Sequence, residues 1–122
     1  MAKKVNGIRT FKPQNRLAWR KWLIKNHTST EPVFLIVFHK KSKSPNISYD
    51  EAVEEALCFG WIDNKRMNRD DQSSYLQFCR RKEKSNWSKL NRERAERMMR
   101  DGLMTDAGMV LIDAAKKDRR WG

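Results

Sequence analysis

Acidic residues are scarce in this chain. Only 15 Asp and Glu stand against 27 Lys and Arg in 122 residues, a formal charge of +12. Cysteine is scarcer still: Cys58 and Cys79 are the whole complement, too few for a disulfide framework and without a metal spacing. A buried thiol is the stronger reading of Cys58, with one disulfide as the alternative. The two histidines, His27 and His39, stand well away from either cysteine, so no metal site is expected, and His27 reads as a helix-end or solvent-facing residue. Three prolines and five glycines form no linker, and no repeat or low-complexity segment divides the chain. Long apolar runs are missing too. The longest, Val33 to Phe38, is far short of the ~20 residues a membrane helix needs. The basic start Met1 to Gly7 has no apolar stretch behind it, so it is not a secretory signal. One domain over residues 1–122 is expected, cytoplasmic and without membrane insertion, its residues 1–6 a flexible basic tail. Phosphate-loop, dinucleotide, zinc-protease and nucleophile-elbow motifs are all absent. No catalytic residue, cofactor or metal is assigned.

What is present specifies a fold. The chain is organised around Ser48 to Arg66. Ser48 is an N-cap and Glu51 falls three residues on, the spacing of a capping box. Asp50 and Glu51 sit where the helix dipole favours negative charge, and Ala52, Val53, Ala56 and Leu57 give an apolar face. Gly60 supplies the left-handed stop, so a central helix spans 49–59 and a strand follows from Trp61. Trp61 to Arg80 reads as a β-hairpin around the turn cluster Asp70 to Ser74. Upstream, Gly7 to Phe11 alternates as a short edge strand. Arg16 to Asn26 is a helix with Ala18, Trp19, Trp22 and Leu23 buried. Val33 to Phe38, apolar at every position, is a central strand covered on both faces. Downstream, Ser85 or Asn86 caps a helix carrying Trp87, Leu90, Arg94 (through its stem), Ala95, Met98 and Met99. Gly102 ends it. Thr105 caps a last helix with Met109, Val110, Ile112 and Ala115, and Trp121 folds back. The predicted class is α+β: about four helices on a small three- or four-stranded, mainly antiparallel sheet.

The run Tyr49 to Arg66 resembles the central signature of the YdeI/OmpD-associated, or bacteriocin-protection, family. The likeness extends through Tyr75-Leu76-Gln77-Phe78, Ser85-Asn86-Trp87-Ser88 with Asn91, and Gly102-Leu103-Met104 to Trp121, most of the chain from Arg16 onward. It implies small prokaryotic proteins of little-defined biochemistry, linked to resistance against antimicrobial peptides and bacteriocins. The chain departs from the pattern before Ser85, where the usual proline-containing basic segment lacks its proline and is one residue shorter. The motif makes Trp61, Asp63, Ser85, Trp87 and Asn91 candidates for one pocket. Asp63 is the best-placed ionisable residue. It follows two bulky apolar residues, and it is expected to hold Arg66, Arg81 or the start of the third helix. A salt bridge or cap there outweighs an active site.

Charge carries the remaining signal. Asp50, Glu51, Glu54 and Glu55 cluster on one helix, which leaves the rest of the chain more basic than the total suggests. Such a surface favours encounter with polyanions. The candidate contacts are Lys40, Lys41 and Lys43 in the loop after the central strand, Lys65, Arg66, Arg69 and Tyr75 on the hairpin, and Arg80, Arg81, Lys82 and Lys84 beyond it. Asn64, Arg66 and Asn68, sharing a face with Tyr75 and Gln77, would make a polar, aromatic and cationic surface of the kind that binds single strands. The leading expectation is a non-enzymatic binding module for a polyanion such as nucleic acid. The alternative is a stress-protection or protein-interaction module docking a protein or cationic peptide on the acidic helix 49–59. An enzyme is a distant third, and would need a pocket holding Asp63 beside Trp61, Arg66 and Trp87. Composition fixes no oligomeric state.

Overall fold

The computed structural model describes residues 4–42 and 45–121. In chain order the elements are β1 (Lys4–Val5), β2 (Ile8–Phe11), α1 (Arg16–Asn26), β3 (Val33–Phe38), α2 (Tyr49–Cys58), β4 (Trp61–Asn68), β5 (Ser73–Arg80), α3 (Lys89–Arg100) and α4 (Asp106–Lys117). The class is α+β with four helices. The sheet has five strands rather than three or four, in the order β1-β2-β3-β5-β4. The additional strand comes from the basic tail. Lys4 and Val5 turn back at Asn6 and Gly7, both at positive φ, to pair with Arg9 and Ile8. Residues 4–6 of the expected basic tail form this strand and its turn; residues 1–3 lie outside the described part. The sheet is mixed, because β2 and β3 run parallel while the other pairs are antiparallel. The parallel pair needs a crossover, and α1 supplies it.

Strand β3 lies in the middle, and its unbroken apolar run is used on both faces. Val33, Leu35 and Val37 join the main core with Trp19, Leu23, Leu76 and Phe78. Phe34 and Ile36 point the other way and are still buried, Phe34 with its ring 5.4 Å from that of Tyr75. On the helix side, the rings of Phe11, Trp19 and Trp22 stack in series at 5.3–6.5 Å. Trp19 is fully buried, whereas Trp22, expected in the buried stripe, is partly buried against the core.

Helix α2 is the hub. Ser48 and Glu51 form the reciprocal capping box that the sequence predicts, and every residue from Ala52 to Cys58 is buried. Its C-terminal end is closed by Gly60 at φ 76° and by α4. Thr105 makes no side-chain cap to its own helix. Its N–H donates to the Cys58 carbonyl at 3.2 Å, and its hydroxyl donates to the same oxygen. One helix start thus satisfies another helix's orphan acceptor. Gly108 makes this approach possible, since a Cβ there would stand 2.7 and 2.8 Å from the Cys58 and Leu57 carbonyl oxygens.

Other details depart from expectation. Asn15 caps α1, its side chain accepting from Ala18 N–H at 2.9 Å. Ser88, not Ser85 or Asn86, caps α3. Leu90 and Val110, placed in apolar stripes by spacing, are 55% and 65% exposed. Both cysteines are free, Cys58 buried. Trp121 does fold back, its ring 4.9 Å from that of Trp87. The β4–β5 ladder carries a bulge between Asp63 and Lys65. The inserted residue shifts the alternation. Lys65 and Met67 therefore oppose Gln77 and Tyr75, while Arg66 and Asn68 oppose Leu76 and Ser74. The expected grouping of Arg66 and Asn68 with Tyr75 and Gln77 is broken by that one residue.

Candidate functional site

Each of the five motif residues has direct partners of its own. Trp61 is fully buried, its indole N–H donating to the His27 carbonyl at 2.9 Å and its ring edge-on to Trp22. Asp63 turns to α2, accepting a 2.7 Å hydrogen bond from the Tyr49 hydroxyl. Burial first, and the Asp63 carboxylate second, push the Tyr49 phenol up to about 12. Asp63 makes no ion pair with Arg66 or Arg81 among the described residues. Asn91 sits in the first turn of α3, its side chain accepting from Arg94 at 2.9 Å. Arg94 in turn reaches Asp50 at 2.6 Å. Ser85 and Trp87 belong to the loop before α3, where Trp87 meets Arg81 and Trp121.

The acidic helix is neutralised from within. Glu54 and Glu55, 7% and 2% exposed, are buried. Glu55 pairs with Arg16 and with Arg20, and Glu54 with Arg16 and Arg97. Glu51 is spent on the capping box. Acidic side chains that crowd together in sequence therefore clamp α1, α2 and α3 rather than offer a free acidic face.

The basic candidates divide between two ends of the sheet and its open face. At the end where β3 finishes, Lys40, Lys41, Arg66 and Arg69 are exposed. Arg69 is tied to Asp70 and Ser73 in the hairpin turn. A cleft of about 390 Å³ lies here, lined by Lys40, Asn46, Tyr49 and Arg66 among others. Lys43 falls outside the described residues. Lys65 and Tyr75 sit on the sheet's open face. Arg80, Lys82 and Lys84 are exposed at the opposite end of β5, about 17 Å along the strand from Tyr75. None of these three makes an ion pair among the described residues.

Arg81 behaves differently from its neighbours. It is only 8% exposed. Its guanidinium lies 3.8 Å over the Trp87 ring and donates to the Asn86 carbonyl at 2.6 Å. Arg120 donates to the adjoining Ser85 carbonyl at 2.8 Å. Burial, and then the charge of Arg120, push Arg81 down to about 10. Arg94 is equally buried but has Asp50; among the described residues Arg81 makes no ion pair, and its Nε has no acceptor. The Ser85 hydroxyl is also buried without a partner. Buried polar groups are nearly always satisfied, and a buried charge without a counter-ion is costly.

This arginine borders two clefts of about 260 and 470 Å³, lined in common by Arg80, Arg81, Val110 and Leu111. Lys82 and Thr30 continue the second, His27 and Phe59 the first. Sharing four residues, they form one groove between the end of β5 and α4. Sequence reasoning named its cations. It missed the apolar wall, because Val110 has helical spacing with core residues, and it missed the burial of Arg81. The hint for the latter was a tryptophan six residues on, within stacking reach of an arginine.

Among the described residues no group of three or more His, Cys, Asp or Glu could hold a metal ion, and no helix is long and apolar enough to cross a membrane. No curated protein and no solved structure matches the chain. The model of one family, described as a domain of unknown function (DUF8412), matches residues 11–111. That match spans most of the chain, which therefore belongs to the DUF8412 family.

Proposed function

We propose that this protein is a small, non-enzymatic binding module for a polyanion such as nucleic acid, and that it grips its ligand with the Arg80–Lys84 end of the sheet. The observation that carries the reading is the state of the charges there. Arg80, Lys82 and Lys84 are exposed and in no ion pair among the described residues, Arg80 and Lys82 flank a groove, and a buried arginine without an ion-pair partner lies beside them. Glu54 and Glu55 are occupied inside the α1–α2–α3 clamp, and Glu83 is a single acid set among the cations of this surface. Docking of a cationic peptide on helix 49–59 gains no support, since Glu54 and Glu55 are already paired. Kinship with the YdeI/OmpD-associated family, and a cytoplasmic site of action, belong to the same proposal.

The test is anisotropy of labelled single-strand and duplex oligonucleotides across a salt series. About three phosphate contacts should give a log–log slope near −2 on a single strand. The variant Arg80→Ala/Lys82→Ala/Lys84→Ala should cut affinity by about a hundredfold at moderate salt and flatten that slope. It leaves Arg81, which the fold uses. Binding that survives in the triple variant would reject this surface. Binding equalled by heparin and lost at physiological salt would reject the function.

A further inference from the structure

We infer that the groove between β5 and α4 is a seat for one unpaired nucleotide of a single-stranded nucleic acid, its phosphate beside Arg80 and Arg81 and its base against Val110 and Leu111. The inference rests on the polyanion reading above and names the ligand of that site.

Two chemistries adjoin in the groove. One wall is mainly cationic: Arg80 and Lys82 are exposed on the rim with one acid, Glu83, and Arg81 is buried without an ion pair among the described residues. A phosphate in the groove supplies the counter-charge that Arg94, the other arginine buried to this degree among the described residues, has in Asp50. The other wall is apolar. Val110 is 65% exposed and stands with Leu111 on α4, facing the cations across the groove. A wide phosphate track needs no such wall. A duplex keeps its bases stacked inside and shows a protein surface mainly sugar and phosphate, so Val110 would meet charge. A single strand offers both chemistries at the spacing of one nucleotide: an anion, and a flat apolar face free to pack. The groove is concave, whereas phosphate contact alone is served by exposed lysines such as Lys40 and Lys41.

Short labelled oligothymidine and oligouridine strands, and duplexes of equal length, serve as probes for the whole protein. Either strand should bind about tenfold tighter than its duplex at physiological salt, the value of packing one base. The deciding variant is Val110→Lys, at an exposed position where folding is not at stake. It adds positive charge while removing the apolar wall. The expected result is that the strand-over-duplex ratio falls towards one and strand binding does not improve. Val110→Lys tightening strand and duplex alike, as added charge alone would, overturns the nucleotide seat, as does equal binding of strand and duplex by the unaltered protein. Either of those results leaves the polyanion reading standing. Failure of both strand and duplex to bind at physiological salt overturns that reading and this one together.

Discussion

Glu55 shows how much one side chain can organise. Its carboxylate is 2% exposed and holds two arginines of α1 from α2. A buried carboxylate is tolerable only when its lone pairs are filled, and here they are. Glu55→Gln keeps the shape and removes the charge, leaving Arg20 with no carboxylate and Arg16 with Glu54 alone. We expect a loss of about 2–4 kcal/mol in urea unfolding; an unchanged midpoint would mean the pairs are ornamental. Tyr49 makes a prediction in pH. Its phenol is raised in the folded protein, from 10.0 to about 12, by burial and by Asp63. A raised group stabilises the fold fully below its unfolded value and ceases to do so as pH climbs through the folded one. Relative to Tyr49→Phe, the protein should therefore lose stability between about pH 10 and 12. Parallel pH–stability curves for the two would dismiss the Tyr49–Asp63 bond as a contributor.

Elements meet most closely where α4 crosses the end of α2. Gly108 faces backbone carbonyls there, which cannot rotate away as a side chain could. Gly108→Ala should therefore cost about 2–4 kcal/mol despite alanine's better helix propensity. A stabilised variant would show that the two helices are free to separate. Much at this scale was legible in the sequence. Ser48, Glu51 and Gly60 bound α2, the apolar run marks β3, and the Asp70–Ser74 cluster turns the hairpin, because each is a local signal with a local cause. Three features were not. Lys4–Val5 has too little length to carry periodicity. The parallel β2–β3 pairing is a matter of where α1 returns the chain. The bulge after Asp63 is one residue among polar neighbours, and it decides whether Arg66 faces the helices or the open sheet. The candidate site was legible in its cations alone. That Val110 would be bare and Arg81 covered depends on where α4 and Trp87 settle, which no local spacing encodes.

At the scale of the whole molecule, the carboxylates of Glu54 and Glu55 are turned inward while a surplus of cations remains outside, on a chain of net +12. Self-repulsion of that shell opposes folding, and salt screens it. The ion pairs that matter are buried and screened less. Raising salt from low to about 0.5 M should thus increase Tm by a few degrees; a fall in calorimetry would mean that exposed pairs dominate. The sheet order also has a consequence for synthesis. β3 lies between β2, made before it, and β5, which begins only at Ser73. A nascent chain therefore carries the run Val33–Phe38 with one edge vacant while α2 and β4 are still being translated, and an unpaired apolar edge invites association between chains. A fragment ending at residue 70 should sediment as aggregate, whereas one ending beyond Arg80 should remain dispersed. If the shorter fragment stays monomeric, some other segment shields β3 on the ribosome until its second neighbour arrives.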